Sequence, residues 1–136
     1  MALQFSDTLR NNRINQFETT IGISPHLYIR SGLPPANCAA ADTGLMLCDI
    51  TLPSDWLTSA ALGNKTKIGT WQANADPAAG TGTLAGHFRL KSGVTTHCQG
   101  TVTLIGGGGN MTIDDLNIIA GQPVNVTSFS ITDGNA

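Results

Sequence analysis

Across residues 83–105, polar and apolar positions alternate along two arms. On the first arm Leu84, Gly86, Phe88 and Leu90 alternate with Ala85, His87, Arg89 and Lys91; on the second, Val94, Thr96, Cys98, Gly100, Val102 and Leu104 form the more apolar set. A period of two predicts two half-buried strands joined as a β-hairpin. The loop length follows from parity, because directly opposed residues share a face and a one-residue slip inverts every side chain. A two-residue turn at Ser92-Gly93 would set Leu90 opposite Thr95 and Phe88 opposite His97, mixing the faces. A three-residue loop, Lys91-Ser92-Gly93, sets Leu90 opposite Val94 and Phe88 opposite Thr96, and uses Gly93 as the left-handed residue that closes it. The same register sets His87 opposite His97.

A helical period is convincing over residues 6–21. Ser6 can cap it, Asp7 suits the positive end of the dipole, and Gly22 stops it. Its stripe is Arg10, Ile14, Phe17 and Ile21, with Leu9, Arg13 and Phe17 alongside. Two arginines on an apolar edge have two readings. Their stems cover apolar surface while the guanidinium groups stay in water, or the helix docks on another subunit that supplies acceptors. A helix this short does not hold together alone in water, so Leu9, Ile14, Phe17 and Ile21 must be buried on a sheet edge or on a neighbouring chain. A sandwich already uses its two inner faces to cover each other. The expectation is therefore a homo-oligomer, with Leu9, Arg10, Arg13 and Phe17 at the subunit contact and the arginines facing carboxylates or carbonyls of the partner.

Further strands are expected at 26–31, with Leu27 and Ile29 on one face, at 45–52, and at 67–74, with Trp71 inward. Two more are expected at 111–119 and 124–132. The last places Val124, Val126, Ser128 and Ser130 on one side and Asn125, Thr127, Phe129 and Ile131 on the other. Gly32-Leu33-Pro34-Pro35 is an extended connection, and the CAAADTG that follows carries no assignable pattern. Ser54 is expected to cap a short helical turn that buries Trp56 and ends at Gly63, while 76–82 and 106–109 are loops. About seven short strands between turn signals predict a mainly β fold, an antiparallel β-sandwich or jelly roll. Residues 1–22 form one N-terminal helix before a single β domain at 23–136.

With 136 residues the chain is sized as one domain. Only 12% of residues are charged and the net charge is −2, so there is no electrostatic footprint for nucleic acid or an anionic membrane. No apolar run is long enough to span a bilayer, and MALQFSDTLRNNR has no leader pattern, so the chain is expected to be made and kept in a cytosol. Cys38, Cys48 and Cys98 lack CxxC spacing and are expected to be buried small hydrophobes. A Cys38–Cys48 bridge is conceivable across the intervening segment, but a reducing compartment disfavours it.

Candidate chemistry is sparse. Gly63-Asn64-Lys65-Thr66 lacks the glycine spacing of a phosphate loop, and glycines 106–109 lack a dinucleotide fingerprint. Asp114 and Asp115 would point to opposite faces of a strand. His87 and His97 supply two ligands, short of a metal site. Sequons at Asn64, Asn110 and Asn125 are uninformative without a leader. No catalytic, cofactor-binding or metal residue is assigned, and a non-enzymatic protein is expected.

Four segments carry a resemblance: LQFSDTLRNNRINQFETTIG, SGLPPANCAAADTG, ITLPSDWLTSA, and the closing VTSFSITDGNA with GHFRL before it. Together they resemble a family of short proteins encoded in the structural-gene regions of tailed bacteriophages and prophages. His97-Cys98 matches the family's second hairpin arm, whereas Lys67-Ile68 and 78–82 diverge. The resemblance implies a virion protein made in the host cytoplasm. It implies a capsid decoration (cement) protein, commonly trimeric, whose partners are its own copies and the major capsid protein; the alternative is a tail or baseplate component with tail proteins as partners. It supplies no catalytic residue.

Overall fold

The computed structural model describes residues 2–136. The fold is mainly β, one N-terminal helix followed by a curled mixed sheet of seven to nine strands, within the sandwich or jelly-roll-like class. Helix α1 (Asp7–Ile21) starts and stops as its residues predict. Ser6 Oγ accepts from the Leu9 N–H at 3.2 Å, and Gly22, at φ 88°, donates its N–H to the Glu18 carbonyl. The strands are β1 (His26–Ser31), β2 (Met46–Thr51), β3 (Asn64–Thr66), β4 (Gln72–Asn74), β5 (Thr83–Ser92), β6 (Thr95–Thr103), β7 (Met111–Ile113), β8 (Asn117–Ile118) and β9 (Pro123–Thr132). The sheet runs β2-β1-β5-β6-β7-β9-β3, with β4 also on β9 and β8 also on β5. It curls until β2 approaches the end of β4, where the Asp76 N–H donates to the Leu47 carbonyl at 2.8 Å.

The core lies inside that curl. Leu27, Ile29, Leu47, Ile50, Phe88, Leu90, Val124 and Val126 point into it. Five of the seven aromatic residues form a continuous chain across it. Phe17 of α1 touches Trp56, Trp56 touches Trp71, Trp71 touches Phe129, and Phe129 meets Phe88 edge-on, with centroids 5.5–6.1 Å apart. The helix is thereby tied to the central hairpin by contact through the core.

The hairpin keeps its predicted parity only where residues 87–90 face 98–101, and not its predicted register; Thr96, expected inward, faces Lys91, and at the other end Ala85 is buried in place of Leu84. The turn is Gly93-Val94, with Ser92 opposite Thr95, and Leu90 is paired with Cys98 and Phe88 with Gly100. A bulge at His97 takes up the odd residue that the three-residue loop was expected to absorb. Both solutions put Phe88, Leu90, Cys98 and Gly100 on one face, which is why alternation alone does not separate them. Gly93 has φ 59°, as expected, and Val94 stands 95% exposed at the tip. Gly100 makes room for Phe88, since a Cβ there would lie 2.9 Å from the ring.

Other segments depart from expectation for identifiable reasons. In β9 a bulge at Thr127 switches the inward parity, so Val124, Val126 and Phe129 are buried together and Ser128 faces out. Residues 55–62 form no helical turn. Trp56 is buried, but the backbone is drawn into pairing, with Leu57 bridged to Lys67 and Thr58 N–H on the Thr66 carbonyl. The expected strand at 67–74 is broken at Gly69, φ 76°, although Trp71 points inward as predicted. The strand expected at 111–119 divides at Asp114 and Asp115, whose carboxylates accept backbone N–H groups of Asn125 and Asn117. The sheet also contains one parallel pairing, β6 with β7, where only antiparallel pairs were expected. Glycines 106–109 permit that short return: Gly107 and Gly109 pack against Thr103, where a Cβ on either would lie 2.7–2.8 Å from its side chain.

Candidate functional site

Leu9, Arg10, Arg13 and Phe17 lie along α1, but the acceptors for the arginines come from the same chain. Arg10 is 5% exposed. Its Nε donates to the carbonyls of Asp133 and Gly134 at 3.0 and 3.2 Å, its Nη2 to Asp133 O at 2.8 Å, and its Nη1 to Asp7 Oδ1 at 3.1 Å. Gly63 admits the guanidinium, since a Cβ there would lie 2.7 Å from Arg10 Cζ. Arg13 pairs with Asp133 Oδ2 at 3.2 Å and lies over the Phe5 ring. Buried Lys65 reaches up from β3 to Glu18 Oε2 at 2.6 Å and Asn15 Oδ1 at 2.9 Å.

The expectation that a partner supplies the acceptors of Arg10 and Arg13 is therefore corrected: the chain's own C-terminal segment supplies them. A single curled sheet leaves its interior open at one end, and Ile14, Phe17 and Ile21 help close it. Carbonyls do meet Arg10, as one reading proposed, but they belong to the chain's own C-terminal segment. Leu9, at 45% exposure, and the outer edges of Arg13 and Phe17 remain accessible. Arg13 and Phe17 separate two shallow grooves of about 340 and 290 Å³, one running to Ile131 and Gly134 and the other to Thr20 and His97.

A second assembly lies on the outer face of the sheet, where residues 32–44 fold back over β1, β5 and β6. Arg89, 1% exposed, is its centre. Its Nη1 donates to the Ala40 carbonyl at 3.0 Å and to Asp42 Oδ1 at 2.5 Å, and its Nη2 to the Cys38 carbonyl at 2.9 Å. Arg30 holds the other end through the Thr43 and Gly44 carbonyls, and Gln99 donates to the Pro35 carbonyl at 2.7 Å. Lys91 Nζ reaches Asp42 Oδ2 at 2.6 Å. The Lys91 hydrogen bond, with those of Arg89 and the charge of Arg30, holds the Asp42 carboxyl below its ordinary range against the opposing effect of burial.

His87 is fully buried under the same cover. Its Nδ1 lies 2.9 Å from the Gly32 carbonyl, which makes Nδ1 the donor and leaves Nε2 as a buried acceptor without a partner. Burial depresses its pKa, and the nearby Arg30 and Arg89 charges act in the same direction. His87 faces Thr101 across the hairpin, so the His87–His97 pair expected from the three-residue loop does not form. Among the described residues no three His, Cys, Asp or Glu side chains converge as a metal site would require.

Alternation placed His87, Arg89 and Lys91 on the face opposite Phe88 and Leu90 and missed this assembly. The legible signal was Gly86, where a Cβ would overlap the Gly32 carbonyl oxygen. A glycine in a strand interior marks close approach of another backbone.

The thiols are free. Burial pushes Cys48 up to about 12 and Cys98 up to about 11, leaving both protonated and poorly nucleophilic at neutral pH. All seven basic side chains are engaged within the chain: Arg10 and Arg13 at the C-terminal segment, Arg30, Arg89 and Lys91 at the cover, Lys65 on the helix, and Lys67 on the Gly69 carbonyl. Among the described residues no helix is long and apolar enough to cross a membrane. No protein-family model, curated protein or solved structure matches this chain.

Proposed function

We propose that this chain is a structural protein of a tailed-bacteriophage particle, a decoration protein whose copies bind the head lattice as homotrimers and stabilise it. The observation that carries this reading is the use of the charged groups. Six of the seven lysines and arginines pin one segment of the chain to another, and Lys67 closes a local turn. That arrangement suits a rigid part that acts by being present in many copies, where avidity replaces any tight single contact. The resemblance points the same way. Two of the segments that carry it, SGLPPANCAAADTG and GHFRL, are the cover and the strand to which Arg89 and Asp42 tie it.

Densitometry of purified particles tests the assignment. On the order of hundreds of copies per particle is expected for a lattice-bound protein, about six to a few dozen would move it to the tail or baseplate, and absence from particles would refute the reading. The exposed helix edge is the candidate contact. Leu9→Glu with Arg13→Glu should leave the fold intact and abolish trimer formation and incorporation; normal incorporation of that variant would remove the helix edge from the contact.

A further inference from the structure

We propose that the depression beside Asp42, Lys91 and Arg89 is a binding site for a small oxyanion, a phosphate or a carboxylate group. It has a volume of about 560 Å³ and is bounded by Cys38–Asp42 of the cover, by Arg89 and Lys91, and by Val94, Thr95 and Thr96 at the hairpin tip. Its charges do not balance. Arg89, Lys91 and Arg30 surround one carboxylate, with nitrogen–oxygen distances to Asp42 of 2.5, 2.6 and 3.9 Å. The next carboxylate on this face, Asp49, lies opposite Tyr28 on the neighbouring strand and is held by His26 Nδ1 at 2.7 Å. His87 adds no negative charge in either protonation state.

Buried charge is costly unless it is paired, and here two of three cations share a counter-ion that the third already engages. Arg89 is almost wholly out of water, and its Nε has no acceptor. At the mouth, Lys91 has three N–H donors, one of them directed to Asp42, on a side chain 15% exposed. Thr95 and Thr96 line the same rim, Thr96 directly opposite Lys91 across the hairpin. An oxyanion entering there would accept from Lys91 and the threonines while neutralising the excess positive charge beneath. Asp42 is its competitor, which predicts that removing the Asp42 charge strengthens binding.

Purified protein titrated with inorganic phosphate, and separately with acetate, at ionic strength fixed with chloride, tests this by amide NMR. Saturable shifts in residues 38–42 and 89–96 with roughly millimolar affinity are expected. Lys91→Gln should weaken binding about tenfold, and Asp42→Asn should tighten it. Because Lys91→Gln also breaks a bond to the cover, Thr95→Val at the exposed tip provides a second variant and should weaken binding several-fold. Saturation by phosphate alone identifies a phosphate ligand; saturation by acetate as well identifies a carboxylate, such as an acidic side chain of a protein partner. No saturable shift with either anion, or equal affinity in wild type and both weakening variants, overturns the proposal. The titration involves no particle, so its outcome is independent of the virion assignment.

Discussion

Arg10 of the N-terminal helix grips the carbonyl of Asp133, 123 residues away, through both Nε and Nη2. The two ends of the chain are joined there, and the Phe5 N–H adds a bond to the Asn135 carbonyl at 2.7 Å. Arg10→Ala should cost about 2–3 kcal/mol, since charge-assisted bonds are lost and buried carbonyls are left without donors. Arg10→Lys should recover little of that, because an ammonium cannot reproduce the fork. Arg13→Ala is the control. Its side chain is half exposed, so its ion pair with the same residue should be worth less than about 1 kcal/mol. Urea denaturation of the three variants checks the ranking, and equal losses for Arg10→Ala and Arg13→Ala would refute it.

Two glycines should fail for different reasons. Gly86→Ala places a methyl group against the Gly32 backbone and should destabilise by about 1–3 kcal/mol while lifting the cover. Gly93→Val meets nothing in space but forces a β-branched residue to φ 59°, at a cost of about 1–2 kcal/mol. Hydrogen exchange separates them: faster exchange across residues 32–44 is expected in the first variant and not in the second.

Acid should weaken the fold in two steps. The folded state holds His87 below its ordinary value of 6.5, so the unfolded chain binds a proton more readily. The neutral-His contribution is complete above 6.5 and declines as pH falls below it, until the folded-state pKa is reached. Asp42 is held below its ordinary value of 3.8, so its contribution is complete above that value and is lost as pH falls through the depressed one. His87→Gln, which can still donate to the Gly32 carbonyl, should flatten the fall in Tm that begins as pH drops below 6.5 and leave the lower step in place. An unchanged slope in that variant would assign the first step elsewhere.

Local chemistry was legible in the residues alone. Ser6 and Gly22 bound the helix, the period of two put Phe88, Leu90, Cys98 and Gly100 on one face, and Gly93 had to take a left-handed conformation. These are short-range consequences of capping, pleat and φ, and they depend on no distant partner. Only the tertiary structure decided register, sheet closure and the fate of the charges. Parity permits several registers, and the bulges at His97 and Thr127 chose among them because Phe88 and Phe129 had to meet inside one curl. Likewise an arginine on an apolar edge can be read as solvated or as docked, and alternation places Arg89 on an outer face. What settled both was where distant backbone came to lie: the Asp133 carbonyl over Arg10, and residues 37–42 over Arg89. A buried cation is stable where such acceptors surround it, and their positions are set by the fold as a whole.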